Sequence, residues 1–175
     1  MGCVTMRRRR GFSLIELVTV IVILSVMALA AAGPALSSMD SLRTRAAAAR
    51  MAADIRYARR FALASGLKTW VVFDAAENSY QLHVEDRDNP GKAGRLPLTR
   101  PLDQSTDTVQ FGTGPFANVS ITGVSIGSGS EIEFSSFGEP FDGGGTSLSA
   151  TGTVALSNGV VVTIHPAGGA VERSG

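Results

Sequence analysis

The stretch Arg7-Arg8-Arg9-Arg10-Gly11-Phe12-Ser13-Leu14-Ile15-Glu16-Leu17, with the apolar run behind it, decides how the rest of this sequence is read. From Phe12 to Ala32 there are twenty-one residues, and Glu16 is the only charge among them. At about 1.5 Å rise per residue a helix of that length spans roughly 31 Å, which matches a bilayer's hydrocarbon core. Residues 12–33 are therefore expected to form a transmembrane helix. The four arginines ahead of it hold that end in the cytoplasm and send the remainder outward. Glu16 breaks the pattern. A carboxylate in an apolar helix costs up to about 2.5–3.5 kcal/mol at the bilayer centre and less towards its edge. A cost of that size implies a partner for Glu16.

Gly11-Phe12-Ser13-Leu14-Ile15-Glu16-Leu17 followed by an unbroken apolar helix resembles the class III signal of type IV prepilins and type II secretion pseudopilins. The resemblance implies that a prepilin peptidase removes residues 1–11 as a basic leader, cutting between Gly11 and Phe12. It also implies N-methylation of Phe12 and a role for Glu16 in subunit assembly. An ordinary secretory signal would use Arg7–Arg10 as its basic region and Ala28-Leu29-Ala30 or Ala30-Ala31-Ala32 as its cleavage site. A twin-arginine signal would use Arg9-Arg10-Gly11-Phe12. The apolar run is longer than the usual 7–15 residues of such signals and contains Glu16, which argues against both.

With 175 residues, the chain has room for one domain beyond the membrane segment. Four of its sixteen basic residues lie in the leader, so twelve remain against fifteen acids, a net charge of −3. That balance is no footprint of a nucleic-acid binder. Cys3, the only cysteine, also lies in the leader. The mature domain must therefore be held by packing, without a disulfide, even in an oxidising periplasm.

Gly33-Pro34 is expected to kink the helix, because proline lacks the N–H and its ring clashes with the preceding turn. Residues 34–66 then read as an amphipathic periplasmic helix. Ala47, Ala48, Met51, Ile55, Ala58 and Ala62 share one stripe, and Gly66 sits at a left-handed cap position. Six arginines lie between Arg43 and Arg60 against Asp54 alone. Arg45, Arg56, Arg59 and Arg60 occupy an arc away from the stripe. They read either as a solvated face or as a contact surface for acids on neighbouring subunits. Anionic lipid and nucleic acid are the remaining readings.

After Gly66 the apolar period changes from 3.6 to 2, and residues 67–175 read as an antiparallel β-sheet domain with the helix packed against one face. Strands are expected at Lys68–Phe73, Tyr80–Glu85, Thr108–Phe111, Val119–Ile126 and Glu131–Phe134. Asp86–Gln104 reads as a long polar loop. Thr153–Leu156 and Val160–His165 should form a hairpin through Ser157-Asn158-Gly159, and a short strand starts at Val171. The class is α+β: a long kinked amino-terminal helix on antiparallel sheet. Arg56-Tyr57-Ala58-Arg59-Arg60-Phe61-Ala62, Phe134-Ser135-Ser136-Phe137-Gly138, Gly152–Leu156 and Gly168-Gly169-Ala170-Val171 resemble the GspH/FimT branch of minor pseudopilins and minor pilins. That branch often carries a basic residue where this chain has Ala170.

Three patterns imitate active sites. Gly123-Val124-Ser125-Ile126-Gly127 fits a nucleophile elbow, with Asp142 and His165 following in hydrolase order, but no helix supports the serine. Asp86-Arg87-Asp88-Asn89-Pro90-Gly91 begins like a calcium loop, yet position twelve is Pro97 where a bidentate glutamate is required. His83 and His165 fall on separate strands with no cysteine near. No catalytic residue, metal ligand or cofactor is therefore expected.

The resemblance implies a structural, non-enzymatic subunit of the type II secretion pseudopilus, anchored in the bacterial inner membrane with its sheet domain in the periplasm. The alternative it leaves open is a minor pilin of a type IV pilus, serving pilus biogenesis or DNA uptake. Its implied partners are the prepilin peptidase, inner-membrane lipid, and other pseudopilins or pilins through the amino-terminal helix.

Overall fold

In a computed structural model the described residues are 13–100, 104–106 and 108–175, with backbone alone at 29–38. Helix α1 runs from Leu14 to Ser65, fifty-two residues, and the chain divides into two compact units at the boundary between Ser38 and Met39. Gly11 and Phe12 lie outside the described residues, as does the side chain of Pro34, while the backbone at Gly33-Pro34 belongs to α1, which runs through the position of the expected kink.

In the first unit, Leu14–Ala28 is exposed on every side, from Leu14 at 80% to Val20 at 44%. Among the described residues no helix is long and apolar enough to cross a membrane. The span expected over 12–33 takes in Phe12 and the side chains of 29–33, which lie outside that description.

In the second unit the helix is striped as the sequence predicts. Ala47, Ala48, Met51, Ala52, Ile55, Ala58 and Ala62 are fully buried. Removing Met51 and Ile55 from water contributes about 1.5–3 kcal/mol each. The alanines contribute closeness, because a methyl group lets strands approach the helix backbone. Thr69 uses that closeness, donating its hydroxyl to the Ala58 carbonyl at 3.0 Å. Gly66 ends the helix at φ 69°, with its N–H on the Ala62 carbonyl at 2.9 Å.

The strands form two antiparallel sheets, where the sequence reading expects one. The first contains β1 (Thr69–Asp74), β2 (Ser79–Val84), β3 (Leu96–Pro97), β4 (Val109–Gln110), β6 (Glu131–Phe134) and β7 (Pro140–Asp142). Its order is β3-β2-β1-β6-β7, with β4 also pairing to β2. The second contains β5 (Ile121–Ser125), β8 (Gly152–Leu156), β9 (Val161–Ile164) and β10 (Val171–Ser174), in the order β10-β9-β8-β5. One hydrophobic cluster joins the helix stripe to Val71, Phe73, Leu82, Ile132 and Phe134 of the first sheet and Val154, Leu156, Val162 and Ile164 of the second. This is the α+β arrangement expected from the sequence, a long amino-terminal helix with antiparallel strands, here divided between two sheets.

The loop expected over Asp86–Gln104 contains a 3₁₀ turn at Lys92–Gly94 and the edge strand β3. The hairpin between β8 and β9 turns where Asn-Gly predicts it, with Asn158 at φ 58° and Gly159 at φ 72°.

Buried polar groups tie the helix to the first sheet and the strands of that sheet to one another. The Tyr80 hydroxyl donates to Asp54 Oδ2 of the helix at 2.7 Å, and burial pushes its phenol well above the ordinary value. Trp70 Nε1 donates to Glu133 Oε2 at 2.9 Å, and Lys68 reaches Glu133 Oε1 at 2.7 Å. The Glu133 carboxylate in turn holds Lys68 above its usual range. Glu131, also buried, meets both Lys92 and Arg95.

Candidate functional site

The first candidate is the start of α1. Glu16 lies in the first turn, with its N–H on the Ser13 carbonyl at 3.0 Å. Its side chain is exposed, and among the described residues no cation lies within ion-pair distance of it. The hydroxyls nearby behave differently. Thr19 donates to the carbonyls of Ile15 and Glu16 at 3.0 and 2.9 Å, and Ser25 donates to that of Ile21 at 2.7 Å. Each polar side chain is thus satisfied on its own helix, where it puts no demand on an apolar surrounding. Glu16 is the exception, and its position favours the positive end of the helix dipole.

The second candidate is a groove of about 410 Å³ lined by Arg56, Arg59, Arg60, Gly169, Ala170 and Val171. Three of the four arginines singled out by the sequence meet here. Helical spacing places them: positions 56, 59 and 60 are three and four residues apart, hence on one face. Arg56 donates Nε and Nη2 to the Val171 carbonyl at 3.2 and 2.6 Å. Arg59 donates Nε to the Gly138 carbonyl at 3.0 Å, and Arg60 Nε reaches the Arg56 carbonyl at 3.4 Å. Arg45 is not part of this group. It is exposed nearer the start of the unit, where its own carbonyl accepts from Arg173 Nη1 at 3.4 Å.

Two turns close against the helix beside the groove. A Cβ on Gly138, at φ 71°, would come within 2.9 Å of Leu63 Cγ. One on Gly169, at φ 65°, would meet Phe134 Cε1 at 3.1 Å and Arg59 Cδ at 3.2 Å. Only glycine fits this backbone at this distance. Phe137, immediately before Gly138, is 80% exposed. The sequence reading includes Phe137 in a family pattern but gives it no role. An unpaired aromatic in a Ser-Ser-Phe-Gly turn is the signal that could have raised it.

The sequence patterns that resemble active sites take the following positions. Ser125 and Asp142 line a small cavity of about 190 Å³, but β5 passes into a turn and then β6, with no helix behind the serine. The Asp142 carboxylate is occupied as a turn anchor. Oδ1 accepts the N–H groups of Gly144 and Thr146 at 3.0 and 2.9 Å, and Oδ2 accepts the Ser128 hydroxyl at 3.1 Å. The bond from Thr146, ahead of those from Ser128 and Gly144, holds Asp142 below the usual carboxylate range. His165 faces Glu172 at 3.3 Å instead. In the Asp86 loop, Asp86 Oδ1 accepts the Asp88 N–H at 3.0 Å and Glu85 Oε1 accepts the Gly91 N–H at 3.1 Å. Among the described residues no group of three His, Cys, Asp or Glu side chains could hold a metal ion.

Residues 6–32 match the family model described as the prokaryotic N-terminal methylation motif, a stretch that contains Gly11, Phe12 and Glu16. No curated protein matches the chain at a significant level. Among solved structures, the chain matches the crystal structure of the type IV minor pilin FimU of Pseudomonas aeruginosa strain PAO1 at 15% identity and a TM-score of 0.47, over 75% of this chain and 88% of that one.

Proposed function

We propose that this chain is a non-enzymatic minor pseudopilin, a structural subunit of the pseudopilus of a type II secretion system. It is held in the bacterial inner membrane by its amino-terminal helix, with the sheet domain in the periplasm. The observation that carries this reading is the methylation motif over residues 6–32, which takes in a helical stretch, Leu14–Ala28, that is exposed on every side and bears the exposed Glu16 carboxylate. The prepilin peptidase frees the Phe12 amine, and other subunits receive the exposed helix. Once free, that amine is positive at neutral pH. In a filament the Glu16 carboxylate of one subunit can meet the Phe12 amine of its neighbour in a low-dielectric surrounding. A carboxylate buried there without a partner is strongly penalised, so the pair fixes the register between helices.

The test is Glu16→Leu. Membrane insertion and cleavage after Gly11 should persist, while cross-linking to and co-purification with partner subunits should fall sharply. Assembly and secretion at wild-type levels would contradict the role given to Glu16.

A minor pilin of a type IV pilus uses the same parts. The observation favouring that second reading is the density of arginine between Arg43 and Arg60, a surface suited to an uptake filament. Salt-sensitive binding of duplex DNA by the full chain would select it over the secretion reading.

A further inference from the structure

We infer that the groove between α1 and the Gly169–Val171 turn is a docking site for an acidic protein segment that carries an apolar side chain next to its carboxylate. The inference rests on the assembly reading above, since it names what a neighbouring component brings to this domain. Among the described residues, no carboxylate lies within ion-pair distance of Arg56, Arg59 or Arg60. Their bonds run to backbone carbonyls and leave the outer N–H groups of each guanidinium available. The bonds to Val171 and Gly138 also fix where the Arg56 and Arg59 forks sit. Less side-chain entropy is then lost when an anion arrives. A planar carboxylate accepting two parallel N–H bonds is the ligand such forks match.

The surroundings select a protein over a polyphosphate. Phe137, 80% exposed, and Leu63, 47% exposed, flank Gly138, whose carbonyl Arg59 holds. Arginine beside an unburied aromatic is the composition of an interface centre. Glu139 and Glu172 are both exposed at the margins, and Glu172 directly follows the groove residue Val171. They would repel a phosphate backbone running past the groove and tolerate a single carboxylate set down in its middle.

The experiment uses the full chain in detergent micelles and a fluorescein-labelled peptide of sequence Gly-Ser-Leu-Asp-Phe-Ser-Gly with an amidated carboxyl terminus, read by fluorescence anisotropy. Its companion replaces the acid with the amide. Arg60→Glu and Phe137→Ser are the variants of choice, because Arg60 bonds only to its own helix and Phe137 projects into solvent. Unchanged thermal melting will show that both still fold. Binding of the acidic peptide should weaken at least about tenfold in each variant, as loss of a charge-assisted bond or an aromatic anchor requires, and the wild type should bind the amide peptide at least about tenfold more weakly than the acidic one. Equal binding of acid and amide peptides, or none of either, overturns the inference. So does displacement of the acidic peptide by duplex DNA or by phosphatidylglycerol vesicles. If the wild type is cleaved after Gly11 and incorporated with its partners but ignores the peptide, only this inference falls. A wild type that is neither cleaved nor incorporated removes the assembly reading itself.

Discussion

Residues 14–28 and 47–62 of α1 are both rich in apolar side chains, and they answer opposite demands. In the first segment Leu14, Ile15, Ile21, Ile23 and Val26 are all more than half exposed. In the second, Ala47, Ala48, Met51, Ile55, Ala58 and Ala62 are entirely buried by the chain's own strands. Polar groups follow the same division. Thr19 and Ser25 turn back onto their own helix, whereas Asp54 reaches across to Tyr80 and Thr44 accepts from Asn158. A helix that is apolar all round needs an environment the domain does not supply, while a striped helix finds its environment in its own sheets. Under the proposed function, the difference separates the part of the protein that associates from the part that folds.

That division is breakable by mutation. Ile55→Ala should destabilise the sheet domain by about 2–5 kcal/mol, while Ile21→Ala should leave its melting within about 0.5 kcal/mol of wild type. Thermal or denaturant unfolding of the two full-length variants in detergent reads this directly. Equal losses would mean that the first segment is part of the folding unit.

Tyr80→Phe sharpens the contrast on the polar side. It removes a donor from the buried Asp54 carboxylate and should cost about 1–3 kcal/mol in the same unfolding measurement. Thr19→Val, the matching change in the first segment, should have no effect on domain stability, because its hydroxyl bonds only within the helix.

Much of this contrast is legible in the sequence, because helix stripes and strand alternation are local periodicities. The face through Met51 and Ile55, the strand Glu131–Phe134 and the Asn158-Gly159 turn all show at their true positions. What stays hidden depends on distant chain. The separation into two sheets arises because β1 pairs with β6 and β5 with β8, and no residue pattern within either strand encodes its partner. Strand β7 is three residues long and starts at Pro140, too short and too interrupted to show alternation. Glu131 and Glu133 alternate with Ile132 and Phe134 as if facing solvent, yet all four are buried. Their cations and the Trp70 N–H come from other strands and loops. At the candidate sites, Glu16 stands out as the one charge in an apolar run. The grouping of Arg56, Arg59 and Arg60 follows from helical spacing, but the Val171 and Gly138 carbonyls that orient them do not.

The smallest effect is a pH dependence confined to the sheet domain. Hydrogen bonds from the Thr146, Ser128 and Gly144 turn depress the Asp142 carboxyl in the folded state. Its contribution is therefore fully present above the unfolded value and is lost as pH falls through the folded one. His83, depressed by burial and by Arg95, acts in the same direction at higher pH, opposed in part by Glu131. Asp142→Asn should flatten the acid limb of stability against pH, measured by thermal melts from neutral into acid. An unchanged acid limb would place the sensitivity elsewhere.

The central claim, that the exposed start of α1 exists to be processed and assembled, is tested most directly at the mature amino terminus. Intact-mass and fragment mass spectrometry of the protein isolated from membranes of its producing cells should find a chain beginning at methylated Phe12. Gly11→Trp should leave the full-length precursor in the membrane. An amino terminus near Ala32 would contradict the account, because the apolar helix and Glu16 would then have been discarded with a signal peptide.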